Sequence, residues 1–246
     1  MSWDWQVFCK DTIDGNIMPR CFGSGGEITY LDWMISAWGW TLSVALLSWC
    51  VALLFGSCVG ILRTTPNRAL VMLGNAWTEL FRNIPLLVQI FLWYHVAPAL
   101  VAPMREVPSF LLVVIGLGLF TSARISEQVR AGILSLPRGQ RMAGLAVGFT
   151  LPQTYRYVLL PMAFRIVIPP LTSESMNIVK NSSVAFAVSI SELTLFALQA
   201  QEETSRGIEI YLAVTALYFL SAFAINRVLH FIEDRVRVPG MIGAGK

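Results

Sequence analysis

Charge is scarce in this sequence. Asp, Glu, Lys and Arg make up 13% of its 246 residues, while hydrophobic types make up 55%, and mean hydropathy is +0.62. A soluble domain cannot bury so much apolar surface, so lipid is the solvent for much of the chain. Histidine occurs twice and cysteine four times, neither at metal-ligand spacing. No glycine-rich phosphate loop and no nucleophile paired with a base can be picked out, which leaves the chain without catalytic apparatus of its own. Its net charge of +3 is spread over arginines with no stacking platform between them, against a nucleic-acid surface. A cleaved signal peptide is not expected from the first residues either. MSWDWQVFCKDTIDGNIMPRC carries acids, has no basic start and no short apolar run closing on small residues, so residues 1–28 read as a short polar extension.

What the sequence does have is long uncharged runs. Trp33 to Leu62, Asn83 to Met104 and Val107 to Ala123 contain no charge, and Ile210 to Asn226 is a further candidate. A membrane-spanning helix needs about 20 such residues. Ile166 to Leu198 is long enough to cross but is interrupted by Glu174, Lys180 and Glu192. The fold class is therefore an all-α polytopic membrane protein with five spans in one domain, residues 29–235, followed by a tail over 236–246. Arg63, Arg68 and Arg82 precede the second span. Arg124, Arg130, Arg138, Arg141, Arg156 and Arg165 lie between the third and fourth, and Arg227, Arg235 and Arg237 flank the end. The positive-inside rule places these flanks and the C-terminus in the cytoplasm, and the acidic N-terminal extension outside. Cys9 and Cys21 then lie where a disulfide can form, although an arm with two free thiols fits equally. Cys50 and Cys58, inside the first span, read as small buried hydrophobes.

The longest connection, residues 137–161, has internal structure. Pro137 fits the first turn of a helix whose apolar residues Met142, Leu145 and Ala146 recur at i, i+3 and i+4. Gly148 permits a corner. Thr150 and Gln153 then form a capping-box pattern that opens a second helix, with Leu151, Tyr155, Val158 and Leu159 as its apolar stripe and Pro161 as its end. Such a knob suits a groove on another protein; an amphipathic pair lying on lipid headgroups is the competing reading.

In RMAGLAVGFTLPQTYRYVLLPMA, the residues Ala143, Gly144, Gly148, Val158, Leu160 and Pro161 resemble the ATPase-docking loop of bacterial ABC importer permeases. Met142 stands where that family usually has Glu, and Gly144 where it usually has a second Ala. TELFRNIPLLVQIF, EQVRAGILSLPRGQ and VIPPLTSESMNIVKNSS are similar to segments of the polar amino acid subfamily, and within it to permeases for glutamate and aspartate. The resemblance implies a type I importer permease (MetI-like) fold in a bacterial inner membrane. It also implies ABC ATPase subunits that hold ATP and magnesium, a second permease subunit (homologue or copy) and a periplasmic amino-acid-binding protein. No cofactor is expected in this chain.

An ionisable residue at membrane depth is costly and by default functional. Glu174, Asn177 and Asn181 share one helical face and form a polar stripe; the matching stretch of the family lines the transport path. Bonding between helices, with no substrate involved, is the alternative. Pro169 and Pro170 precede the stripe and leave backbone carbonyls without donors. Lys180 falls about 120° away from Glu174, which favours snorkelling or helix pairing. Arg124 offers a planar fork suited to a carboxylate, or it anchors the inner end of the third span, held by Glu127 and Gln128. Arg82 is expected to pair with Glu79 at i−3. Other functions remain open at this point: glutamine or another polar amino acid as substrate, a proton-coupled secondary transporter using Glu174, or a membrane scaffold.

Overall fold

The computed structural model describes residues 3–24 and 26–236. All but Val236 of the expected tail lies outside them. Three helices are long and apolar enough to cross a membrane: span one (Tyr30–Leu62), span three (Ser109–Leu134) and span five (Gly207–Val236). Two further crossings are bent pairs. Arg68–Asn83 meets Leu86–Leu100 at 104°, and Leu151–Val188 meets Leu193–Thr204 at 53°. The first bend follows from Pro85, which holds Ile84 and itself in extended backbone. Arg68–Asn83, with one apolar face, is thereby turned away from the crossing segment. Counting each pair as one span gives the expected five.

Spans one and three form the tightest crossing. A Cβ on Gly56 would lie 2.6 Å from Ile125 Cβ, and one on Gly60 2.7 Å from Val129 Cβ. Two glycines one turn apart let the backbones approach until the Ser122 and Ser126 carbonyls are within 3 Å of those positions. Between lipid-solvated helices such close packing is the main source of cohesion, because lipid is as apolar as the helix surface. Cys50 and Cys58 are not buried here; both point off the bundle, since the buried face of span one is taken by Val44, Ala52, Gly56, Val59 and Gly60.

The apolar core has two large clusters and a small third one of Phe81, Leu119 and Ala123. One cluster joins spans one and three to Leu151–Val188 and ends at Ile190. The other starts at Leu193 and holds Phe196, Ala197 and Ala200 against Tyr30, Met34 and Ala37 of span one, Ile210 and Val214 of span five, and Val7 and Phe8. The last two belong to an N-terminal arm stapled by a Cys9–Cys21 disulfide. The arm is pinned by Asp4, whose N–H donates to Glu209 Oε1 at 2.9 Å and whose carboxylate lies 3.4 Å from Arg206. Thr29 and Asp32 form a capping box that starts span one. The bundle thus has an arm end and, opposite it, a loop end carrying residues 137–161.

Candidate functional site

Glu174 lies in the long helical half of span four and is buried, 9% exposed. Its Oε2 is 3.8 Å from Nη1 of Arg124 on span three. Arg124 does not use Glu127 as its partner, because Glu127 is bonded to Arg82, reaching across from the bent helix; the expected Arg82–Glu79 pair is replaced by this one. The Arg124 side chain keeps 42% of its surface exposed and lies over the Phe120 ring at 5.5 Å. A charge-assisted hydrogen bond closes to about 2.8 Å, so at 3.8 Å the guanidinium retains donors for another carboxylate. Asn177 and Asn181 follow Glu174 on the same face, both half-buried, with Ser173 and Lys180 exposed beside them. Pro169 and Pro170 stand inside this helix without ending it.

At the loop end, Arg138–Ala146 forms the first loop helix, with Pro137 as its N-cap and not in its first turn. It ends in a Schellman motif: Phe149 N–H donates to Gly144 O at 3.2 Å and Gly148 N–H to Leu145 O at 3.0 Å. Gly148 has φ +90°, a conformation that penalises any side chain, although the space around it is open. In the second helix Gln153 Oε1 accepts from the Thr150 N–H at 2.8 Å, as the capping-box pattern requires. Gly144 packs directly on that helix. A Cβ there would meet Thr154 Cγ2 at 2.7 Å, which accounts for glycine where the loop pattern has alanine.

Two expectations about the loop are corrected. Pro161 does not end the second helix. Tyr155–Leu159 widens into a π turn, and Pro161 falls in the opening turn of the α-segment that follows, Leu160–Asn181; the wider turn accommodates a residue that has no N–H and would crowd the preceding carbonyls. Nor is the stripe Leu151, Tyr155, Val158, Leu159 the outward ridge. Tyr155 and Leu159 are buried in the bundle core, and the Tyr155 hydroxyl donates to Thr64 O at 2.7 Å. The apolar surface presented outward consists of Met142 (70% exposed), Leu145, Val147 (76%), Phe149 and Tyr157. Ala143 is exposed with them, while Val158 and Leu160 are half-buried. A cleft of about 520 Å³ opens between Arg138, Arg141, Met142 and Leu145 on one side and Tyr155 and Leu159 on the other.

Sequence reasoning missed two buried polar centres. Arg63, read as a surface flank, is buried and ties three elements together, with Nε donating to Asn75 at 2.9 Å and Nη1 to Ser126 at 3.1 Å. Glu192, read as an interruption, is wholly buried at the break in span four. It caps Leu193–Thr204: Thr194 N–H donates to Oε2 at 2.8 Å, Leu195 N–H to Oε1 at 3.0 Å, and the Tyr218 hydroxyl to Oε2 at 2.8 Å. The signal was available only as an acid placed before an apolar run.

Comparison with known proteins agrees with this architecture. The chain is 42% identical to the glutamate/aspartate import permease protein GltJ of Escherichia coli, an alignment covering 99% of this chain and 98% of that one. It is 33% identical to the probable glutamine ABC transporter permease protein GlnM of Bacillus subtilis, covering 80% and 89%. Among solved structures, an amino acid ABC transporter crystallised with histidines superposes with a TM-score of 0.73 at 28% identity, covering 84% of this chain and 95% of that one. The inward-facing methionine transporter MetNI, at 20% identity and a TM-score of 0.72, shares the fold. Residues 52–238 match the family described as the binding-protein-dependent transport system inner membrane component, and the chain belongs to that family.

Proposed function

We propose that this chain carries acidic amino acids, glutamate and aspartate, across a bacterial inner membrane as one of two permease subunits of an ATP-driven importer. The observation that carries this reading is the incompletely paired Arg124 beside buried Glu174, at the edge of a polar face of span four. Asn177 and Asn181 on that face are half-exposed, and Ser173 and Lys180 flanking it are exposed, at membrane depth. Such a face is untenable against lipid tails, which supports a water-lined path closed on the other side by a second permease subunit. Arg124 would receive the substrate carboxylate bidentately, with Glu174 holding the guanidinium in place when no substrate is present.

The loop end is read as cytoplasmic and the arm end as periplasmic. This orientation is supported by the arginines around the loop and by a disulfide in the arm. A partner ATPase holding ATP and magnesium would seat against Met142, Val147 and Phe149 and fill the cleft beside Arg138 and Arg141. Shape and apolar contact replace an acidic contact in that interface, because position 142 is methionine. A periplasmic binding protein would deliver substrate at the arm end.

The decisive experiment reconstitutes this chain with its ATPase and second permease in lipid. Hydrolysis is then measured with binding protein loaded with glutamate, aspartate, glutamine or arginine. Stimulation by glutamate and aspartate alone is the expected result; equal stimulation by glutamine would place selectivity elsewhere. Uptake by this chain alone, driven by a proton gradient, would overturn the importer reading.

A further inference from the structure

The break in span four coincides with the boundary between the two large apolar clusters. Ala185, Val188 and Ile190 pack with spans one and three, whereas Leu193 onward packs with span five, the start of span one and the arm. The backbone turns at Ser189, which has φ +59°, a left-handed conformation uncommon for a residue with a side chain. Two to three residues therefore separate a helical half carrying Glu174 from a half embedded in a different packing unit.

Glu192 fixes the far side of that break. Its carboxylate takes two backbone N–H groups of its own helix and the hydroxyl of Tyr218, which also lies 3.2 Å from Thr194 Oγ1. Span one adds a further tie, Thr41 Oγ1 accepting from the Leu193 N–H at 3.1 Å. An unmet carboxylate at this depth would be severely destabilising. Here it is met by three donors from two helices, so separating Leu193–Thr204 from span five removes the Tyr218 donor and leaves a buried carboxyl oxygen under-bonded. Next to the break on the near side, the hydroxyls of Ser182 and Ser183 donate within their own helix, to Val179 and Lys180 carbonyls; two turns further back, span five reaches that half through a single neutral hydrogen bond, Asn226 Nδ2 donating to Met176 Sδ at 3.2 Å.

We propose that Glu192 is a positioning residue of the transport cycle. With Tyr218 it clamps Leu193–Thr204 to span five as one body, and Ser189–Ser191 is the hinge about which the half bearing Glu174 swings. The swing rests on the importer reading above; the clamp stands on the hydrogen bonds alone.

The test uses the assembled complex in lipid, with Cys50 and Cys58 replaced by serine and spin labels at exposed Gln199, Tyr211 and Phe186. Between the nucleotide-free and ATP-trapped states, the 199–211 distance should stay constant while the 186–211 distance changes. Tyr218→Phe removes the clamp's hydroxyl, and Glu192→Asp keeps an N-cap acid but draws it back by about 1.5 Å. Both should broaden the 199–211 distribution and lower the ratio of stimulated to basal hydrolysis about tenfold with assembly intact. A loss of stability alone would leave that ratio unmoved. Equal changes in both distances, or wild-type ratios in both variants, would overturn the proposal. Failure of every loaded binding protein to stimulate the unsubstituted complex would sink the importer reading instead; the clamp is then decided by whether Tyr218→Phe broadens the 199–211 distribution.

Discussion

Arg124 Nη1 faces Glu174 Oε2 at 3.8 Å, across the contact between spans three and four. The acid is buried and the base is partly open, so the pair is asymmetric: the carboxylate has little choice of partner, and the guanidinium has one. On the proposed reading, an arriving substrate carboxylate would compete only for donors that Glu174 leaves free.

Arg124→Tyr should therefore lower kcat/KM for glutamate and aspartate uptake about 10- to 100-fold, the value of a charge-assisted bidentate contact. Glutamine uptake, measured in the same proteoliposomes, should change by less than about threefold. Equal losses for all three substrates would show that Arg124 is an anchor with no part in recognition.

Gly148→Ala places a side chain at φ +90° and should cost about 1–2 kcal/mol locally. Because the surrounding space is open, the loss comes from the turn and not from a clash. The expected result is weaker co-purification of the ATPase with unchanged helix content by circular dichroism.

Gly144→Ala should destabilise the loop by about 1–3 kcal/mol through overpacking on Thr154 Cγ2. Adding Thr154→Ser removes that methyl and keeps the hydroxyl that donates to Thr150 O. The double variant should recover most of the lost melting temperature, a non-additivity that neither change alone explains.

Cys9→Ser with Cys21→Ser opens a loop of sequence separation 12, at a cost of about 3 kcal/mol to the arm. Proteolysis should then cut residues 10–20 faster while the spans stay intact. Acid should act in the same direction. The Asp14 N–H, foremost, and then that of Ile13 hold the Asp11 carboxyl below its usual range. A depressed value means that Asp11 stabilises the arm above about pH 4 and that this contribution is lost as pH falls through its folded value. Arm cleavage by an acid-active protease should rise below about pH 4.

Much of this was legible in the residues. Uncharged runs mark four of the crossings and length alone marks the fourth span, which carries Glu174, Lys180 and Glu192; the glycine corner and Thr150–Gln153 cap were readable because helix ends are local chemistry. The errors were of another kind. Pro161 as a terminator assumed a regular α-helix, and a π turn absorbed it. That Tyr155 and Leu159 face the bundle core could not be read, because periodicity identifies a face without saying what covers it. Arg82 chose Glu127 over Glu79 because the bend at Pro85 brings a distant helix within reach. Glu192 could not be recognised as a cap shared with Tyr218, since that partner lies 26 positions away.

The attachment of the arm has a consequence for the order in which the chain is built. Asp4 is bonded to Glu209, 205 positions later, and Val7 and Phe8 pack against residues beyond Leu193. At a synthesis rate of about 5–20 residues per second, the arm waits about 10–40 s before its seat exists. A segment made early is among the last to settle, so a protected arm marks a chain that has reached span five. Nascent chains halted before Leu193 should show an arm open to protease, and chains extended past span five a closed one.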